Sequence, residues 1–348
     1  MTSRNYPLAG LALLLGIAQL AGCTAAWAQA IGDRVTDDLL ALERYQGRSV
    51  ELGALPGDPA GKLVRELVYE KPWRLRAETV EPAARKGDLV LFDGASLTMW
   101  WPKELVGVRV RGLPATSEDE VREHVRRETA TGLAEYAYSL RGEDEVAGQR
   151  ANHWLVIPTG EGPWRRRHEV WMHARHSFPL RVTFETPPQA PWYRFEFERL
   201  DLTAPVPPGS FAFEFPRNAV VFEYDLAGPG IPLEEARQLM NFPVLVPRWL
   251  PPGHSLEKAV RGAHQLPTLV LVLRRGASWL SLTEARAVGA EEPPPVGTPV
   301  KLGARQGWLT FTGSYALVSW RVGETQLSLL GNLAYPELLQ VAASVEAP

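Results

Sequence analysis

The sequence predicts a mostly β, α+β fold in two parts: a large antiparallel sheet with one apolar and one polar face, then a small α+β domain. Three observations lead there. Many short segments alternate apolar and polar residues with period two; few stretches carry helix signals; and 30 prolines are scattered along the chain, marking strand edges and turns rather than long helices. The 12 tryptophans supply large, stiff apolar surfaces for such a fold to bury.

The N-terminus comes first in the chain and reads as an export signal. Arg4 is followed by an apolar run from Leu8 to Leu20 and then by small residues, the order of a secretory leader. As a helix the run rises about 20 Å, short of a hydrocarbon core of about 30 Å. Two cleavage readings stand side by side. Leu20-Ala21-Gly22-Cys23 has the form of a bacterial lipobox, which makes residues 1–22 the signal and Cys23 an acylated N-terminus. Ala28-Gln29-Ala30 fits ordinary signal peptidase, which cuts after residue 30. With one cysteine in the chain, neither reading leaves a pair for a disulfide or a thiol for catalysis. The formal charge of −3 becomes more negative once Arg4 is removed, and gives no support to nucleic-acid binding.

After the signal, Thr36–Arg44 reads as a short helix with Thr36 as its N-cap. Lys62–Tyr69 and Trp73–Val80 read as strands, with Trp73, Leu75 and Ala77 alternating against Arg74, Arg76 and Glu78. Leu89–Phe92 and Ala95–Trp101 flank Asp93-Gly94 as a hairpin. A two-residue turn puts Val90, Phe92, Leu97, Met99 and Trp101 on one face, and a three-residue turn shifts that register. Ser117-Glu-Asp-Glu120 is a capping box opening a helical stretch to about Leu140, interrupted near 129–132. Strands resume at Trp154–Ile157, His168–Arg175, Leu180–Glu185, Tyr193–Glu198 and Phe211–Phe215, the last three with almost unbroken alternation. The pattern breaks at Leu226-Ala-Gly-Pro-Gly230, so the expected domains are 31–225 and 231–348. The second begins with a helix at Leu233–Met240, carries strands at Thr268–Arg274, Ser278–Glu284, Ala304–Thr312, Tyr315–Arg321 and Thr325–Leu330, and closes with a helix at Ala334–Val345.

Three segments together carry a family resemblance: Trp73-Arg-Leu-Arg-Ala-Glu with the Phe92-Asp-Gly hairpin ending in Trp100-Trp101-Pro102; Glu169-Val-Trp-Met-His-Ala-Arg-His-Ser-Phe-Pro-Leu-Arg-Val182; and Pro207-Pro-Gly-Ser-Phe-Ala-Phe-Glu-Phe-Pro216. In order and spacing, residues 36–222 resemble the LolA/LolB and RseB (MucB) superfamily of periplasmic lipoprotein-binding proteins. That resemblance implies an open antiparallel half-barrel wrapped around helices, whose hydrophobic cavity holds acyl chains. The expected lining is Trp73, Leu75, Val90, Phe92, Leu97, Met99, Trp101, Val170, Met172, Val182, Phe184, Phe195 and Phe197. Residues 233–345 resemble a C-terminal domain of unknown function seen in sporulation and anti-sigma-associated proteins, through Glu235–Gly253 and Leu338–Ser344, and are similar to the smaller domain of RseB. Two-domain order is shared with RseB, whereas LolA has one domain.

The residues offer little for catalysis. His168, His173 and His176 are spaced five and three apart, which does not put them on one face of a strand, and no HExxH is present. They are expected to be solvated strand histidines. Asp37/Asp38, Glu118/Glu120 and Glu234/Glu235 all sit at expected helix starts, where the macrodipole favours acids. There is no Gly-x-Ser-x-Gly, no phosphate-cradling glycine loop and no cofactor motif. Arg165-Arg-Arg-His168 reads as a solvated loop, with contact to anionic lipid or an acidic partner as the other reading. A 16-carbon chain buried at about 0.8 kcal/mol per methylene gains about 10 kcal/mol before costs, so an acyl pocket needs no charged anchor. The expectation is a non-enzymatic envelope protein, held on the periplasmic face of a bacterial membrane by an acylated Cys23 or soluble in the periplasm. Its partners would be lipid or lipoprotein acyl chains. The rival expectations are an RseB-like regulator binding a membrane anti-sigma factor, and a scaffold whose barrel is filled by its own side chains.

Overall fold

The structure is a computed structural model that describes residues 25–52, 61–113, 117–123, 125–126, 136–159, 167–184, 193–261, 267–275, 278–287, 298–311, 316–331, 333 and 335–346. The leader, Cys23 and Arg165–Arg166 lie outside the described residues. Two compact units are present, one formed by the described parts of 25–94 and 117–214, the other by those of 95–113 and 215–346. No helix among the described residues is long and apolar enough to cross a membrane.

In the first unit, α1 (Ala25–Leu40) precedes β1 (Arg44–Leu52), β2 (Lys62–Glu70), β3 (Arg74–Glu81) and β4 (Leu89–Phe92). After a helical turn at 118–123 and 125–126 come β7 (Tyr136–Val146), β8 (Gln149–Pro158), β9 (His168–His173), β10 (Pro179–Phe184) and β11 (Tyr193–Asp201). The strands run in the order β4-β3-β2-β1-β11-β10-β9-β8-β7, antiparallel throughout, in an open sheet that does not close into a barrel. This is the mostly β architecture that the alternating segments predict. Paired residues across an antiparallel ladder share a face. The outer face carries a network of ion pairs beside the buried side chains of Val50, Val64, Leu89 and Leu91. Arg48 meets Glu66 (3.4 Å), Glu81 (3.1 Å) and Glu198 (3.2 Å), while Arg181 and Arg194 both reach Glu196. A chain segment straps part of that face: Gln46 Nε2 donates to Pro205 O at 2.7 Å and the Arg74 guanidinium lies over the Phe211 ring.

Four elements differ from expectation, each because tertiary packing prevails over a local signal. Thr36 is no N-cap: α1 begins at Ala25 and Thr36 is a buried helix-interior residue. The capping box forms as written, Ser117 N–H donating to Glu120 Oε2 at 3.0 Å and Glu120 N–H to Ser117 Oγ at 3.2 Å. Its helix does not extend to Leu140, because 136–146 is a strand whose ladder with β8 runs from Tyr136–Pro158 to Val146–Gln149 and which buries Tyr138 beside Trp154 and Val156. Trp73 sits in the turn before β3 with φ 65°, and its ring packs on Val35, Val121 and Val125 of the two helical pieces. Phe211–Phe215 alternates half-buried and exposed residues, yet it is irregular chain rather than a strand.

The second unit carries β5 (Leu97–Trp101), β6 (Val106–Arg111) and β12 (Val220–Asp225), with β12 parallel to β6, and then α2 (Leu233–Leu239) and the two-residue β13 (Val246–Pro247). A seven-stranded sheet follows in the order β14 (Ser255–Arg261), β15 (Thr268–Arg275), β16 (Ser278–Arg286), β20 (Thr325–Gly331), β19 (Ala316–Val322), β18 (Arg305–Phe311), β17 (Thr298–Leu302). Its core packs Leu271, Leu282, Leu329 and Trp320 against Leu338 and Val341 of α3 (Tyr335–Ala343). Glu284 is fully buried there, with Oε2 accepting Leu245 N–H at 2.8 Å and burial pushing its carboxyl up to about 8.

Candidate apolar ligand face

The inner face of the first unit follows from register. Ser49 and Glu51 of β1 face Arg65 and Leu63 of β2; Leu67 and Tyr69 face Ala77 and Leu75 of β3; these face Val90 and Phe92 of β4. On the other side Glu51 faces Phe195, then Val182, Val170 and Trp154 in turn, and Ser49 faces Phe197. Leu75, Val90, Phe92, Val170, Met172, Val182, Phe195 and Phe197 are therefore brought to one face, as period-two alternation expects. Trp73 instead packs on the helical pieces, and Leu97, Met99 and Trp101 belong to the other unit, on a strand whose five side chains are all buried. The Phe184 side chain lies outside the described residues. Four residues, Asp93 to Ser96, separate β4 from β5, so neither short turn applies.

Burial divides this face. Over β7–β11 it is closed: Tyr138, Trp154, Val156, Val170, Met172 and Val182 form one packed cluster, and Phe195 and Phe197 join Leu180, Phe178 and Leu42 in another. Over β2–β4 it is open, for Leu67, Tyr69, Leu75, Val90 and Phe92 are each only half-buried. Packing elsewhere sets the boundary. α1 reaches the face at Leu39, which touches both the Phe197 cluster and the Val121–Val125 helical piece. Arg122 to Asp37 (2.7 Å), Arg126 to Asp33 (2.6 Å) and Ser177 Oγ to Asp38 Oδ2 (2.6 Å) pin the helical pieces at that end.

At the opposite end of β1 lies a polar feature the sequence did not reveal. Arg65 Nη1 and Glu51 Oε1 are 2.7 Å apart, both about nine-tenths buried on the apolar face, beside buried Ser49 and Thr79. An ion pair in this setting is held by mutual attraction against the loss of water. Tyr45 stacks on Tyr69 with ring centroids 5.2 Å apart, and burial raises both phenols, Tyr69 to about 12. β1 was hard to read because its inner positions are Tyr45, Gly47, Ser49 and Glu51. Gly47 is obligatory, since a Cβ there would meet Arg199 O at 2.9 Å and the Phe197 ring at 3.0 Å.

Two of the three histidines are not solvated, and His176 is half-buried. His168 and His173 are buried; the His173 Nδ1 accepts N–H bonds from Arg175 (3.1 Å) and His176 (3.0 Å), and its ring stacks on Phe178. Desolvation, reinforced by His176 and Arg175, pushes His173 down to about 4, so it caps the β9–β10 turn as a neutral ring. No cluster of three metal-ligating side chains is present among the described residues. On the outer face His153 stacks on Trp171 at 4.1 Å, Arg181 lies over the same indole, and Trp171 Nε1 donates to Asp144 at 2.9 Å.

No protein-family profile matches the chain, and no curated protein is similar to it in sequence. Among solved structures, the chain is similar to MucB in the Pseudomonas aeruginosa MucA/MucB complex, with 16% identity and a TM-score of 0.47 over 92% of this chain and 98% of that one. It is also similar to a LolA-superfamily protein from Nitrosomonas europaea (13% identity, TM-score 0.27, 53% of this chain and 97% of that one). A third is the Mycobacterium tuberculosis lipoprotein LppX (10% identity, TM-score 0.32, 50% and 94%).

Proposed function

We propose that this is a non-enzymatic, exported envelope protein whose first unit binds the acyl chains of lipids or lipoproteins on the β2–β4 part of its inner face. The carrying observation is the half-burial of Leu67, Tyr69, Leu75, Val90 and Phe92 on a face that is otherwise packed. Five apolar side chains in two adjacent cross-strand rows, Leu67–Ala77–Val90 and Tyr69–Leu75–Phe92, left partly uncovered around Ala77, are what an alkyl chain requires, because its affinity comes from the area removed from water. The buried Arg65–Glu51 pair, with Ser49 and Thr79, ends the row with polar groups that orient a headgroup or ester. Acylation of Cys23 would tether the protein to a membrane, with 31–225 as the binding domain and 231–348 as an accessory one. Cleavage after Ala30 would free it as a carrier.

The test is mass spectrometry of the protein purified from its own host and extracted with organic solvent, paired with titration by a fluorescent fatty acid. Co-purifying lipid, and binding lost in Leu75→Asp/Phe92→Asp, are expected. Absence of both lipid and fatty-acid binding would overturn the reading. Intact-mass analysis of the same sample reads whether Cys23 is acylated or removed. The regulator reading, a complex with a membrane anti-sigma factor, predicts instead unchanged lipid content and altered envelope-stress signalling on deletion.

A further inference from the structure

In the larger sheets β7, β12, β14 and β17 each have a neighbouring strand on one side only, and three of them carry devices that discourage another strand from pairing. β7 has a bulge between Leu140 and Gly142 and the charged run Arg141, Glu143, Asp144, Glu145. β14 is bulged between Leu256 and Lys258 and is bridged by Ile231 to Ala259. β17 carries Pro299 and Lys301. The fourth, β12, reads Val220-Val-Phe-Glu-Tyr-Asp225 and pairs with β6 in unbroken register.

The backbone orientation of β12 is fixed at both ends. Val220 N–H donates to Leu105 O and Leu226 N–H to Arg111 O, both at 2.8 Å. In a parallel ladder alternate residues face the neighbour. Residues 220, 222, 224 and 226 thus turn their N–H groups to β6, and the N–H and C=O groups of Val221, Glu223 and Asp225 point away, with no backbone partner among the described residues. The side chains beside this free edge are apolar and accessible: Val220 is 57% exposed and Phe222 47%, next to exposed Leu105. They continue a face that is closed further in, where Leu97, Met99, Val108 and Val110 are buried. The two acids that would guard the edge are engaged. Glu223 pairs with Arg111 at 3.0 Å and lies 3.7 Å from Arg109, and Asp225 Oδ1 accepts the N–H of Ala227.

We infer that β12 is a docking edge for an extended segment of a partner protein, which adds as a strand through Val221, Glu223 and Asp225 and lays alternate apolar side chains on Val220 and Phe222. A second copy of this chain is the poorer occupant. Two folded bodies meeting only along six residues bury far less than the roughly 1,200 Å² of a stable interface, whereas an extended segment gains main-chain bonds and side-chain contacts together. This edge belongs to the second unit and the acyl face to the first, so either reading can fail alone.

The test selects 12-residue peptides from a random display library on the full mature protein and follows amide hydrogen exchange with the tightest binder. Enriched peptides with apolar residues at every second position are expected. Exchange at Val221, Glu223 and Asp225 should slow by at least about tenfold when bound. Phe222→Lys, a change at an exposed site, should weaken binding at least about tenfold without lowering the melting temperature. Glu223→Pro, which removes one outward N–H while leaving the β6 ladder bonds in place, should act likewise. A library that yields no binder, or binders that leave these amides unprotected, overturns the inference. So does sedimentation showing a dimer of the free protein that Phe222→Lys dissolves, which assigns the edge to a second copy.

Discussion

The inner face of the first unit is one surface with two fates. Over β8–β11, Val170, Met172, Val182, Phe195 and Phe197 are buried against their own neighbours. Over β2–β4, Leu67, Leu75, Val90 and Phe92 occupy equivalent, register-matched positions and stay half-covered. Sequence chemistry does not separate them, since both rows are aliphatic and aromatic residues with period two. The difference lies in what covers each row. A filled row stabilises the fold, while a row left partly open at a cost in stability is available to a ligand.

Substitutions can break this comparison, and the largest effect belongs to the polar boundary between the rows. Glu51→Gln or Arg65→Met, each leaving a buried partner unpaired, should destabilise by about 3–5 kcal/mol in urea unfolding. Exchanging both for apolar residues of similar volume should recover most of that loss. Next comes Met172→Ala in the filled row, expected to cost about 2–5 kcal/mol by loss of burial and creation of a cavity. Phe92→Ala in the open row should cost only about 1 kcal/mol while abolishing fatty-acid binding. If the two rows respond alike in stability, the division of the face is wrong. Arg48→Ala, in the outer ion-pair network, should leave the unfolding midpoint almost unchanged, because exposed pairs gain little over hydration.

Acid and alkali sharpen the contrast between the units. In the first, His173 is pushed from 6.5 down to about 4, so the unfolded chain takes up its proton before the folded one does. Its contribution is present above pH 6.5 and lost as pH falls toward 4, and His173→Gln should flatten that slope in unfolding measured at steps of pH. In the second, Glu284 is raised from 4.5 to about 8. Its contribution is present below pH 4.5 and lost as pH rises through 8, so Glu284→Gln should make stability less sensitive to pH over that interval.

Much of the sheet was legible from residues alone. β2, β10, β15, β16 and β20 fall where alternation places them, and the Ser117–Glu120 capping box forms both of its bonds. The apolar face was legible for β3, β4, β9, β10 and β11, because register keeps a period-two set together once the strands pair. β1 was not, since its inner positions are polar or glycine and gain their place only from Phe197 and Arg65 across the ladder. β7 was not, because Tyr136–Val146 carries a weak local preference that pairing with β8 decides. Nor does periodicity show which half of a face another element will cover. That depends on where α1 and the 118–126 turn come to rest, a long-range outcome fixed by Leu39, Trp73 and the Arg126–Asp33 pair.

The central claim, that the open row over β2–β4 is an acyl-binding surface, is tested most directly by photolabelling the full mature protein with a diazirine-bearing fatty acid and mapping the adducts by mass spectrometry. Adducts concentrated on Leu67, Tyr69, Leu75, Val90 and Phe92, and competed away by unlabelled fatty acid, are the predicted result. Adducts spread over the outer ion-pair face, or confined to the second unit, would contradict it.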